Sequence, residues 1–322
     1  MIDRTTIENL LAIAVQATGA DEVFASLSAT DVTSRSLAGR RLGQPHRMEN
    51  VTLSITVRAG KRYGQASANV SGETEIQALV QRAIDIARRM PDVPEILPFP
   101  GTSTSPPESP MFVAEGGNSA WQRLDAAVVE LRENATTRDM TAFGNMSLAE
   151  NILALASSNG LFLLQRSTLG HAQFRCFTAN GRSTGFDERY HVDSGELQPG
   201  KLLRSAADTC AAWEDPIEIP PGRITTIFEP RALADMLRPM LAQFSTRAIA
   251  LDQSFLRRMD GSSFLGITMF DPRVTLHSDP WDTRIPSLPF TPDGEMVRVE
   301  QWVKSGVISQ LVADRFEANE AA

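Results

Sequence analysis

Asn159-Gly160, set between the apolar runs 151–156 and 161–167, is the strongest hairpin signal in the chain. A two-residue reversal of this kind needs positive φ, which Asn and Gly tolerate, and it ties two antiparallel strands together. The same device recurs. Val51–Arg58 (VTLSITVR) sets Val51, Leu53, Ile55 and Val57 on one face, Ala59-Gly60-Lys61 turns, and Arg62–Ala68 returns. Ala179-Asn180-Gly181 turns the chain again, and Ser305-Gly306 separates the expected strands 296–304 and 307–314. Local reversals on this scale commit the chain to antiparallel sheet.

Helical periods fill the gaps. Ile7, Leu10, Leu11, Ala14 and Val15 share a face of a first helix, capped by Thr5 or Thr6 and ended by Gly19. Asp21–Thr33 reads as a strand, and Ser34–Asn50, with Gly39, Gly43 and Pro45, as a loop or frayed strand. Glu73–Met90 carries an apolar stripe of Ile76, Leu79, Val80, Ala83, Ile84 and Ala87. Seven prolines mark 91–110 as a linker or extended crossing segment. Trp121, Leu124, Val128 and Leu131 place a helix over 121–133, His171–Thr178 extends the meander as a further strand, and 201–213 is a short helix. Pro220-Pro221-Gly222 leads into Ile224–Phe228, which reads as a buried strand. Pro230 then opens a helix with Leu233, Leu237 and Leu241 at i+4, flanked by Met236, Met240 and Phe244. Thr268–His277 is a further expected strand.

The fold class is α+β. The expected parts are an N-terminal antiparallel sheet with flanking helices (1–100), a proline-rich segment, helix and β-meander (101–215), and a β-rich C-terminal domain with one central helix (216–322), apparently shortened. Net charge of −8 and no long basic run argue against a nucleic-acid surface. No apolar stretch approaches the ~20 residues that span a bilayer. The amphipathic start is unlike a signal peptide, so the expected location is cytoplasmic. Cys176 and Cys210 read as buried free thiols.

Few residues point to chemistry. The histidines at 46, 171, 191 and 277 are scattered, with none on the central helix. His171 and His191 could converge across the meander, yet structural histidines are the commoner outcome. Asp279, Asp282, Asp293 and Glu295 are grouped, but their spacing is not that of an EF-hand loop, and Asp-Pro and Asp-Gly are ordinary turn pairs. No nucleotide-binding glycine motif or nucleophile elbow is present. The residues therefore name no catalytic residue and no metal ligand, and leave the substrate-binding residues unknown.

In order along the chain, several segments resemble the PmbA/TldD peptidase family: Val57–Arg88, Ala154–Phe186, Ile219–Leu237, then Ser254–Leu256, Ser278–Pro280, Pro289–Phe290 and Asp293-Gly294. TldD-like members carry His-Glu-x-x-x-His on the central helix and bind a catalytic metal; TldE/PmbA-like members lack it and pair with a TldD-like chain. Laid on this sequence, the motif falls at Arg238, Pro239 and Gln243, none of which can serve as ligand or base. Members of the family usually continue past the position where this sequence stops, which would leave an unpaired sheet edge.

The resemblance implies a non-catalytic TldE/PmbA-like subunit that assembles with a TldD-like metallopeptidase chain, as a heterodimer or larger, self-association being a further option. It implies no cofactor in this chain and a metal, zinc, in the partner. The substrate would be unfolded or leader peptides, held in a chamber wall by strand addition. The alternatives are a stand-alone peptide-binding or regulatory module, and an autonomous hydrolase built on His171 and His191 or on the carboxylates 279–295.

Overall fold

The computed structural model describes residues 2–39, 41–70, 72–102, 109–113, 117–133, 139–285, 287–313 and 315. They form two compact units: residues 1–217 with 281–297, and residues 218–280 with 298–322.

The first unit is organised by β1 (Glu22–Gly39), which pairs antiparallel with β3 (His46–Ala59) on one side and β5 (Met140–Ser157) on the other. Adding β4 (Arg62–Asn69), β6 (Phe162–Thr178) and β7 (Thr184–His191) gives the order β4-β3-β1-β5-β6-β7, with the two-residue β2 (Arg41–Leu42) folded back on β1. One sheet thus runs through both the N-terminal and the middle stretches. Two sequence readings change. The loop or frayed strand expected over 34–50 is largely strand: β1 runs on to Gly39 and β3 starts at His46. Its side chains are mostly polar on both faces, so alternation gives no signal there. The separate strands expected over 161–167 and 171–178 are a single strand. Gly170 is no break; it lets Leu197 and Ser194 approach, where a Cβ would come 2.8 Å from Leu197 Cδ1.

Side-chain parity explains the layers. Val23, Ala25, Leu27 and Ala29 of β1 point the same way as Leu53, Ile55 and Val57, and as Ile152, Ala154 and Ala156. They bury against α1 (Arg4–Val15) and α2 (Glu73–Ala87). The cap of α1 is Asp3, whose carboxylate accepts from Thr6 N–H at 2.9 Å, not Thr5 or Thr6. Farther along the same face, Leu37, Ala142, Met146, Ala172, Phe174 and Cys176 bury against α3 (Gly117–Glu133) and α4 (Pro199–Ala212). The expected apolar position Leu131 lies outside the described side chains.

Helix, three long strands, helix therefore occurs twice: α1-β1-β3-β4-α2 and α3-β5-β6-β7-α4. The antiparallel β1–β5 pairing joins the two copies about a pseudo-two-fold axis. Corresponding glycines support it. A Cβ on Gly64 of β4 would overlap Ala83 O of α2, and one on Gly185 of β7 would overlap Ala206 O of α4.

The opposite sheet face is polar across its middle, where Thr30 donates to Asn151 Oδ1 at 3.1 Å and the Ser54 and Ser67 hydroxyls lie 2.7 Å apart. One end is covered. The described part of the proline-rich segment crosses it: Tyr63 OH donates to Leu97 O (2.9 Å), Phe99 N–H to Glu22 Oε2 (2.7 Å) and Asn159 Nδ2 to Phe99 O (2.8 Å). Phe290 and Met296 come back from late in the chain to join Phe24, Leu155, Leu161 and Leu163 there.

The second unit holds α5 (Pro230–Leu241), α6 (Thr246–Ala250) and a small antiparallel sheet in the order β10 (Val307–Ile308), β9 (Glu300–Lys304), β8 (Leu276–Ser278). Its core is Phe244, Ile249, Leu256, Val303 and Ile308. Ser305 and Gly306, with φ of 48° and 83°, make the expected turn between β9 and β10. The three strands expected between 268 and 314 are present only as these shorter pieces. Ile224–Phe228 is corrected outright: it joins no strand among the described residues and is exposed, Ile227 at 94%.

Candidate functional site

The position singled out by the sequence is α5. Pro230 at its first turn needs no hydrogen-bonded N–H, and Leu233 N–H closes the turn onto Glu229 O at 3.0 Å. Pro239 lies inside the helix, where it cannot donate to the carbonyl of Asp235 four residues back. Arg238 reaches back to Asp235 at 3.7 Å, both exposed. Gln243 lies in the short 3-10 turn 242–244, where its main-chain carbonyl accepts from Ser254 Oγ at 2.6 Å. The three positions thus hold an exposed guanidinium, a helix-interior proline and a half-buried amide. None of the twelve residues of α5 is buried, although its sequence is strongly amphipathic. Leu233, Met236 and Leu241 are each about half exposed, as is Phe228 just before them, and Ile224 and Ile227 are more so.

The histidines do not converge. His171 of β6 stands directly opposite Tyr190 of β7, whereas His191 stands opposite Gly170, one residue out of step. Neighbouring residues of a strand point to opposite faces, so the two rings are on opposite sides of the sheet. His171 stacks on Tyr190 (centroids 4.1 Å, planes 8° apart), and its Nε2 lies 3.7 Å from Glu188 Oε2, beyond hydrogen-bond reach. His191 Nδ1 accepts from Asp193 N–H at 3.0 Å.

The late carboxylates are divided. Asp279 belongs to the second unit; Asp282, Asp293 and Glu295 belong to the first. Asp282 takes a two-pronged bond from Arg284 (3.0 and 2.6 Å) and Asp293 accepts from Thr291 Oγ1. The Glu295 backbone closes a turn on Thr291, at 2.8 Å through its carbonyl. Turn chemistry accounts for these contacts. Among the described residues no three His, Cys, Asp or Glu side chains gather as a metal would require.

Burial pushes the Cys176 thiol up to about 11, with nearby Cys210 adding to it, so Cys176 does not read as a nucleophile at neutral pH; Cys210 is likewise a buried free thiol.

Residues 221–322, which carry α5 and the small sheet, match the family model for the PmbA/TldA metallopeptidase C-terminal domain. Over that stretch the chain is similar to the C-terminal domain of the PmbA/TldD family. Solved structures share the fold over nearly its whole length. A candidate modulator of DNA gyrase from Bacteroides thetaiotaomicron is 17% identical with a TM-score of 0.85, over 100% of this chain and 75% of its own. TldE from Thermococcus kodakarensis is 15% identical with a TM-score of 0.79, over 97% and 70%. A candidate modulator of a DNA gyrase from Thermotoga maritima is 16% identical with a TM-score of 0.76, over 98% and 72%. No curated protein matches the chain.

What sequence reading missed was the repeated helix–strands–helix plan and the row of aromatic and charged side chains on β6 and β7. Gly64 and Gly185, each followed by a short strand end and a helix, were the available signal for the first. For the second it was the phase of Arg175, Phe177, Phe186 and Tyr190, which fall opposite to the buried positions.

Proposed function

We propose that this protein is the TldE/PmbA-like, non-catalytic member of a TldD/TldE-type metallopeptidase assembly in the cytoplasm, acting on unfolded or leader peptides. The observation carrying this reading is α5. On the resemblance, Arg238, Pro239 and Gln243 fall where the family's catalytic kind would have ligands and base; beside this, the apolar side of the helix is exposed. An apolar helix side and an apolar segment left in water have a cost of about 25 cal/mol per Å² that a covering partner removes. In this reading the metal, zinc, resides in the TldD-like chain, and α5 with Ile224–Phe228 supplies part of the contact.

Co-expression with a TldD-like chain, followed by size exclusion and a peptidase assay on an unstructured peptide, tests it. Co-elution with activity that neither chain has alone is expected. Separate elution without gain of activity overturns it; peptide binding by the lone chain would then favour the stand-alone module.

A further inference from the structure

α1 and α2 pack on one face of the large sheet, and between the end of α1 and the outer part of α2 they leave a cleft of about 430 Å³. That volume falls within the range of small-molecule sites, roughly 300–1,000 Å³. The apolar part of its lining is Val80 and Ile84 of α2, both buried, with the half-buried Ile13 of α1. The polar part is exposed: Gln16 and Thr18 at the end of α1, and Glu73, Gln77 and Gln81 of α2.

The polar groups favour positive charge. Glu73 brings the one charged side chain, since none of the lining residues is Lys, Arg or His. Gln77 Nε2 donates to Glu73 Oε1 and Gln81 Nε2 donates to Asp85 Oδ1, both at 2.9 Å. Each amide is thus turned with its nitrogen on a carboxylate, which leaves its oxygen as an acceptor. α1 has no basic residue in its last turn, so no side chain of its own offsets the partial negative charge of that helix end. An anion would meet Glu73 and the helix end with like charge. An uncharged alkyl group would cover the apolar lining and leave the acceptors unused.

The geometry points to a binding site for an organic cation with an apolar body, an alkylammonium or alkylguanidinium. Its methylenes lie along Ile13, Val80 and Ile84, and its charged head is held by Glu73 and the amide oxygens of Gln77 and Gln81. A free amine and a Lys or Arg side chain of another polypeptide both carry this chemistry. The cleft lies wholly in the first unit, so its occupation is independent of α5 and of the metallopeptidase reading.

Methyl NMR of the full chain at neutral pH tests it, by titration with agmatine, with the blocked tripeptide acetyl-Gly-Arg-Gly-amide and with uncharged pentan-1-ol. Agmatine should shift the Ile13, Val80 and Ile84 methyls saturably, with a Kd of about 1 mM or tighter. Ile76 and Ile152, in the same core but outside the cleft lining, should stay in place. Pentan-1-ol should bind about tenfold more weakly or less. A matching response to the tripeptide assigns the site to a side chain of another polypeptide, and a response to agmatine alone assigns it to a free amine. Gln77→Lys puts a cation in the cleft at i+4 from Glu73, a spacing that supports the helix, and should weaken agmatine about tenfold or more. Gln77→Glu should tighten it about two- to fivefold. No saturable shift with either cation, equal binding of pentan-1-ol, or an affinity indifferent to the charge at position 77 would each overturn the proposal.

Discussion

Gly64 and Gly185 are where α2 and α4 come closest to the sheet, each on an outermost strand. A side chain at either would overlap helix backbone, which yields less than a side chain does. Gly185→Ala and Gly64→Ala should each cost about 1–3 kcal/mol in chemical denaturation. Gly222→Ala, where a Cβ would meet nothing within 4 Å, should cost far less. Cys176 and Cys210 should resist alkylation in the native protein and react fully on unfolding, because burial holds the Cys176 thiol near 11. Glu22 adds a pH dependence. Burial pushes its carboxyl up, but the Phe99 N–H and the Arg58 guanidinium, at 2.7 and 2.9 Å, outweigh that and hold it below the usual glutamate range. The unfolded chain therefore binds this proton more tightly. The stabilisation is full above the ordinary glutamate value and disappears as pH falls through it towards the lowered folded value. Glu22→Gln should flatten the acid limb of a stability-against-pH curve; an unchanged limb would remove Glu22 as its source.

Among the elements, α5 and Ile224–Phe228 show where sequence pattern and fold part company. Apolar content correctly marks residues that are costly to leave in water, but it does not say what covers them. The helix formed as its period required; the expected buried strand did not pair, because strand formation needs a neighbour and a helix does not. The reverse failure is residues 46–50. Apart from the exposed Met48 they are polar and gave no signal, yet register with β1 carries them into β3. Because no side chain of α5 is buried, Leu233→Glu with Met236→Glu should change the stability of the isolated chain by no more than about 0.5 kcal/mol per site. The same double variant should abolish co-elution with a TldD-like chain. Loss of stability in the isolated chain would mean that α5 packs internally.

On the scale of the whole first unit, hairpins and helix faces were legible because they are local, whereas the merging of two helix–strands–helix repeats into one sheet depends on the long-range β1–β5 pair. No turn signal announces that contact; it is set by matching parity over strands of eighteen residues each. Both helix layers rest on this seam, so it should govern the unfolding of the unit. Leu27 is fully buried in β1 opposite Ala154 of β5 and packs in the core beneath α1 and α2. Leu27→Ala removes buried volume beside a residue too small to fill it, at a cost of about 2–5 kcal/mol. If the seam makes the repeats one cooperative body, amide protection in α4, which belongs to the other core, should fall by the same factor as in α2. Hydrogen exchange at low denaturant reads both at once. Protection lost from α2 with α4 unchanged would instead mean that the two repeats unfold separately.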